Sequence, residues 1–181
     1  MLKELLDQIR IAVTITLVLA AILCGVYPLA VWGLAQGLFP VRANGTLVRV
    51  DDRLVGSGLI GQDFTGRAYF HPRPSAAGGG YDGMSSGGSN LGPLSRELIM
   101  MVRQRAEVYR AVNNLAPDVN IPADAVTASA SGLDPHISPA NALLQLGRVA
   151  RERGMTPSEV RRLIERHTDK PDLGFLGEER V

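Results

Sequence analysis

The sequence predicts an α/β protein in which one N-terminal transmembrane helix is followed by a single mixed α/β soluble domain. Three observations lead there. Ile11 to Val41 is an apolar run without a single charge. The remainder, Arg42 to Val181, is polar and glycine-rich, with a length that suits one folded domain. Within that remainder a short hairpin pattern comes first and long helical patterns follow. Residues 1–40 are therefore expected to form the anchor with its flanks, and residues 41–181 the soluble domain.

The anchor comes first. At ~1.5 Å of rise per residue, a helix from Ile11 to Val41 reaches ~46 Å, against a hydrocarbon core of ~30 Å. A cleaved signal peptide is the alternative, but the run is about twice the usual ~7–15 residue signal core. No small-residue cleavage site follows a short core, and Leu23 before Cys24 does not suit a lipoprotein site. An uncleaved span is the better reading. Trp32 and Phe39 suit one interface, and Pro28 is expected to disturb the helix. Lys3 and Arg10 flank one end and Arg42, Arg49 and Arg53 the other, so charge gives no orientation.

After the anchor, Leu47–Val50 and Arg53–Val55 flank Asp51-Asp52 and read as a hairpin. Gly56 to Phe64 is a glycine-punctuated strand or turn. Tyr69 to Pro74 is extended, because its prolines bias the residues before them away from helix. Ala77 to Gly92 is rich in glycine, seven of its sixteen residues, and reads as a long loop. A helix over Pro93–Asn113 follows, with Pro93 as its first residue and an apolar stripe of Leu94, Leu98, Val102, Ala106 and Tyr109. Val126 to Gly132 is a buried strand or a close-packed loop. Ser138-Pro139 caps a helix that runs to Arg153 and stops at Gly154. Thr156-Pro157-Ser158-Glu159 is a capping box that opens a last helix to about His167.

Composition excludes several classes. The net charge of +1 implies no nucleic-acid partner. The single cysteine, Cys24, lies in the apolar run, so the soluble part has neither disulfide nor thiol nucleophile. His71, His136 and His167 are far apart, and no spacing matches a zinc site, so no metal is expected. No lysine follows a glycine, which removes a P-loop. Gly-Gly-Ser89-Asn-Leu lacks the closing glycine of a nucleophile elbow.

The candidate chemistry that is left lies in three places. The Gly-rich loop before a helix could receive an anion, although a loop packed on a partner is the simpler account. Asp134, His136 and Ser138 invite a catalytic reading, but a turn at Asp134-Pro135 and a cap at Ser138 use two of the three. Gln145, between Leu144 and Leu146, is either partly buried and hydrogen-bonded or a ligand contact. The arginines at 148, 151, 153, 161, 162 and 166 read as a mostly solvated basic face, with acidic lipid head groups or a partner as the alternative.

Several unusual segments occur together in order: GLIGQ from Gly58, YFHPRPS from Tyr69, SGGSNLGP from Ser86, TASASGLDPHIS from Thr127, and GFLGE from Gly174. Over essentially its whole length the chain resembles the C subunit (KdpC family) of the bacterial Kdp potassium-transporting P-type ATPase. The family pattern runs past Val181 with another apolar, Asn-containing segment, so an element that helps close the domain is expected to be missing. The resemblance implies a non-catalytic accessory subunit in the bacterial inner membrane, with a potassium-channel-like subunit, a P-type ATPase subunit and membrane lipid as partners. Asp169-Lys170 is followed by proline and not by the Thr-Gly-Thr of a phosphorylation loop, which agrees.

Two mechanisms follow from the resemblance. In one, the chain raises the ATP affinity of the hydrolytic subunit through a ternary complex, with Ser86, Gly87, Gly88, Ser89 and Gln145 as nucleotide contacts. In the other, the soluble domain is periplasmic and caps the pore subunit. The rival from another class is an anchored periplasmic hydrolase using Ser89 or His136.

Overall fold

The computed structural model describes residues 2–181. It contains two compact units, one ending at Gly58 and the other running from Leu59 to Val181.

The first unit is built on α1, a helix over Leu2–Leu38 that is 37 residues long and apolar enough to cross a membrane. Beyond Arg10 its side chains are apolar nearly all round and almost all exposed, as a helix without a protein core around it should be. The irregularity expected at Pro28 takes the form of a π turn at Ala21–Val26, immediately before it. Proline has no N–H, and its ring would clash with the carbonyl four residues back. The wider turn removes that demand, and the Tyr27 N–H donates to Ile22 O instead. One further helical turn, Pro40–Ala43, follows. Its end is tied to α1 by Asn44, whose Nδ2 donates to Gln36 Oε1 at 3.1 Å.

The expected hairpin then forms, with β1 Leu47–Val50 paired antiparallel to β2 Arg53–Ser57. Asp51 (φ 47°) and Asp52 (φ 62°) both take the left-handed conformation that a two-residue type I′ turn requires. The hairpin's root is fastened to the helix end: Thr46 N–H donates to Val41 O, and Ser57 Oγ to Gly45 O.

The second unit holds three α-helices, α2 Arg96–Asn113, α3 Pro139–Arg153 and α4 Pro157–Arg166, and a 3₁₀ turn at Ala123–Ala125. Ser138 caps α3 by accepting from Asn141 N, and Gly154 ends it in the left-handed conformation. The capping box of α4 is present, with Thr156 and Glu159 bonded reciprocally. The α2 start differs from expectation. Ser95, not the residue before Pro93, is the cap; its hydroxyl accepts from Leu98 N and the helix begins at Arg96. A side-chain acceptor outcompetes a merely tolerated proline there.

Among the described residues no named strand lies beyond the hairpin, so the mixed character of the chain comes from a small two-stranded sheet and its helices. Val126 to Gly132, open between strand and loop, is a close-packed loop. The core is made by Ile137, Ala142, Leu146, Val149, Ala150, Val160 and Ile164, from α3, α4 and the residues before α3. Phe70, Met155 and Val181 pack against its edge, and Val181 exchanges two backbone hydrogen bonds with Ile137.

The basic face needs one correction. Arg148 is not solvated; it has no exposed surface and lies on the inward side of α3.

Candidate functional site

The inward face of α3 carries Asn141, Gln145 and Arg148. These are i, i+4 and i+7 on one stripe, and each is 0 % exposed. Buried polar groups are costly unless paired, and each of these is paired several times. Asn141 Nδ2 donates to Asp124 at 2.9 Å, and its Oδ1 accepts from Tyr109 Oη at 2.7 Å and Gln145 Nε2 at 2.9 Å. Gln145 Nε2 also donates to His71 O at 3.0 Å. Its Oε1 accepts from His71 N at 2.7 Å and from Arg148 Nη2 at 2.7 Å. The Arg148 fork ends the row. Nε donates to Asn113 Oδ1 at 2.9 Å, and Nη1 to Tyr69 O at 2.9 Å and to Arg67 O.

This row does two things. Tyr109 and Asn113 tie α2 to α3, and the Arg67–His71 backbone is laid along α3. Arg153 and Glu152 finish the second job from the solvent side. Arg153 Nε donates to Ala68 O at 2.6 Å and lies 5.1 Å from the centre of the Tyr69 ring, while Glu152 pairs with Arg67 at 3.0 Å.

The electrostatics follow from burial. Burial, with Asp124 adding to it, pushes the Tyr109 hydroxyl well above its ordinary value, so it stays a donor. Burial first, and the Arg148 charge second, hold the His71 imidazole below its ordinary value and favour the neutral ring. The Arg148 guanidinium is itself held down, mainly by burial.

The Gly-rich loop is packed rather than open along part of its length. Gly87 N–H donates to Ser131 O at 2.9 Å, and Ser86 Oγ to the same carbonyl at 3.0 Å. Gly132 sits at φ 69°, where a Cβ would come within 2.7 Å of both Ala77 N and Gly87 O. Glycine is needed there for its backbone conformation and for the close approach of two loops. Ser75 Oγ completes the junction by donating to Gly132 O at 2.6 Å and accepting from Tyr81 N at 2.8 Å. Ser89 is exposed.

Asp134 is the third hub. It accepts from Arg73 Nη1 at 2.8 Å and from His136 N at 3.0 Å. Burial would raise its carboxyl, but the His136 backbone N–H and Arg73 outweigh that and hold it low. Ser138 Oγ donates to Asp124 at 2.9 Å while capping α3. It is thus engaged with a carboxylate and not with His136. A cavity of about 410 Å³ holds Asp134, His136 and Ser138, and Ser89 is not among its lining residues. A larger cavity of about 670 Å³ lies between α2 and the Asp63–Tyr81 segment, against Phe64, Pro72, Tyr81, Met101 and Val108.

The structure thus gathers Ser86 and Gly87 with Ser131 and Gly132, with Gly88 against Ala130, and puts Gln145 in a separate, closed row with His71, Asn141 and Arg148. Sequence reasoning missed Arg148, Asn141, Tyr109, Asn113 and Asp124. The signal for the first two was present as the i, i+4, i+7 spacing with Gln145 on the apolar side of α3.

The family described as KdpC: K+-transporting ATPase, c chain, matches residues 9–181. The chain belongs to the KdpC family. It is similar to the potassium-transporting ATPase KdpC subunit of Nitratidesulfovibrio vulgaris (strain DSM 19637 / Miyazaki F), with 54 % identity covering 98 % of this chain and 90 % of the relative. The KdpC subunit of Koribacter versatilis (strain Ellin345) is 49 % identical, covering 100 % of this chain and 90 % of the relative. That of Mycobacterium tuberculosis (strain ATCC 25618 / H37Rv) is 52 % identical over 96 % of this chain and 92 % of the relative. In this KdpC chain the buried row of α3 and the Gly132 junction are two of the polar features that tie the second unit together.

Proposed function

We propose that the chain is a non-catalytic, single-span subunit of an ATP-driven potassium pump, that its second unit stands on the periplasmic side, and that it acts by holding the other subunits together. Its partners are then a pore-forming potassium subunit and the P-type subunit that hydrolyses ATP. The observation that carries the reading is the state of Gln145. All four hydrogen-bonding positions of its amide are taken inside the chain, and it has no exposed surface. A group so engaged supports the fold and leaves nothing to offer a nucleotide. Ser138 is likewise committed to Asp124, which argues against a hydrolase built around His136.

The finer reading from the resemblance, in which the chain raises the ATP affinity of the hydrolytic subunit, then rests on Ser86 and Ser89 in the exposed part of the Gly-rich loop. It requires that loop to be cytoplasmic, and so it excludes the periplasmic cap.

One experiment separates them. Ser89→Cys in a Cys24→Ala background is treated, in intact cells, with a thiol reagent that does not cross the inner membrane. Labelling is the expected result and leaves the cap. Labelling only in broken cells overturns the cap and favours ATP contact. The subunit assignment itself predicts that deleting the chain abolishes potassium-limited growth and pump assembly. Unchanged growth with an intact complex refutes it.

A further inference from the structure

The β1–β2 hairpin has no core of its own. A two-stranded hairpin alone in water is marginal. Leu47, Val48, Val50 and Leu54 are nonetheless 51, 43, 56 and 56 % exposed. The register shows that they do not share a side. Leu47 pairs with Ser57 and Arg49 with Leu54, while Val48 pairs with Gly56 and Val50 with Arg53. Cross-strand partners lie on the same face, and successive residues alternate except at the register shift opposite Val48 and Arg49, where Val55 falls between Gly56 and Leu54. Each face therefore carries aliphatic side chains together with one arginine.

A flat docking partner covers one face of a hairpin. A medium that surrounds the hairpin satisfies both, and α1 fixes which medium is at that height. Its uncharged helical part runs from Ile11 to Leu38. At ~1.5 Å of rise per residue that is ~42 Å of helix, and the bilayer with its headgroup layers measures ~40–45 Å. With Arg10 at one surface, Leu38 reaches the far headgroup layer. The hairpin root is bonded to Val41 and Gly45, only a few residues on. The charges agree. Arg42, Arg49 and Arg53 carry long apolar stems and planar forks that suit phosphate oxygens. Asp51 and Asp52 sit together at the turn, the end of the hairpin farthest from its root.

We infer that the hairpin is a lipid-surface element. It lies in the phospholipid headgroup layer, with its aliphatic side chains toward the acyl boundary, its arginines on lipid phosphates and its aspartate turn in water. The inference rests on α1 spanning the membrane.

The test uses the full chain with Cys24→Ala, placed in phospholipid nanodiscs. A fluorophore is attached at Val48→Cys or, as the reference for the span, at Leu19→Cys. Lipids carrying a nitroxide near the headgroup or deep in the acyl region serve as quenchers. The expected result is that the Val48 label loses most of its emission to the shallow nitroxide and the Leu19 label to the deep one. Introducing Arg49→Glu with Arg53→Glu should restore much of the Val48 emission. An unquenched Val48 label beside a quenched Leu19 label overturns the hairpin inference and leaves the span. A Leu19 label that the deep nitroxide does not reach overturns the span itself. A Val48 label shielded from water-soluble quencher only when other pump subunits are present assigns the hairpin to a protein partner and overturns the lipid contact.

Discussion

Replacing Arg148 with methionine should destabilise the second unit by about 2–4 kcal/mol, a figure set by opposing effects at one buried fork. Four acceptors lose a charged donor: Asn113 Oδ1, Gln145 Oε1, Tyr69 O and Arg67 O. Gln145 Oε1 keeps His71 N, and the two carbonyls lie on a segment that water reaches. Asn113 Oδ1 is the acceptor left buried. A hydrogen bond from a charged donor is worth about 1.5–3 kcal/mol, and an orphaned buried acceptor costs about 1–3 kcal/mol. Against this, the fork's partners are neutral oxygens, so the variant recovers the cost of a desolvated, uncompensated charge, and methionine fills much of the volume. Because the losses are several and the recovery is single, the net sign is destabilising. Thermal melting of the full chain in detergent should fall by on the order of 10 °C. Arg148→Lys should do no better than methionine, since it keeps the charge and cannot reach Asn113 and Tyr69 together. A methionine variant whose stability stays within about 0.5 kcal/mol of the parent would show that the row does not hold α2 and the Arg67–His71 segment to α3.

Three further outcomes follow from the same geometry. Gly132→Ala should cost more than the ~1–3 kcal/mol of ordinary backbone strain, because its Cβ meets two backbone atoms at 2.7 Å; faster proteolysis in the Ala77–Gly92 loop is the readout, and a parent-like digestion pattern would refute it. Asp124→Ala removes the acceptor shared by Ser138 N, Ser138 Oγ and Asn141 Nδ2, and should cost about 2–4 kcal/mol by denaturant titration. At His71, burial and Arg148 lower the folded value, so the unfolded chain binds the proton first as pH falls. Its contribution is constant above pH ~6.5 and is lost as pH falls from there through the folded value. The melting temperature should therefore drop as pH falls below about 6.5, and His71→Gln should flatten that drop.

The helices were legible because their signals are local. Ser138-Pro139 with Gly154, and Thr156 with Glu159, mark ends by groups that satisfy free backbone donors or end the helix within one turn. The Asp51-Asp52 hairpin was legible for the same reason. What was not legible depends on contacts far along the chain. Nothing near Arg148 says that Asn113, 35 residues away, and Arg67, 81 residues away, will supply its acceptors. In a run of arginines over two helices it reads as one more solvated charge. The Gly-rich loop posed the converse problem. Its many glycines left an anion cradle open beside the simpler packed loop, and they did not show that Gly132, outside the loop, is the residue whose missing Cβ lets the loop close on its neighbour. The spacing of Asn141, Gln145 and Arg148 was visible, yet it becomes a buried row only once the opposite side of α3 is known to be solvated.

The placement of polar and apolar groups argues for an accessory role more firmly than any single motif does. In an enzyme the engaged polar side chains converge on a cleft and leave some hydrogen-bonding capacity for substrate. Here the most heavily bonded ones, Asn141, Gln145 and Arg148, are turned inward and saturated by their own chain. The free surface is of the other kind. Met84 is 99 % exposed, Leu94 91 % and Met100 70 %, all in the Gly-rich loop or on and just before α2. Leu173 and Phe175 near the C-terminal end are exposed to a similar degree, 82 % and 73 %, so the loop with α2 and the C-terminal turn are the two candidate surfaces for a protein partner. The larger cavity opens beside α2, with Met101 and Val108 on its wall. If the second unit docks the pump through this region, Met100→Asp and Leu94→Asp should leave its stability within about 0.5 kcal/mol of the parent, because neither side chain is in the core. Both should nevertheless lower co-purification of the other subunits and slow potassium-limited growth. Variants that assemble normally would remove Leu94 and Met100 from the interface.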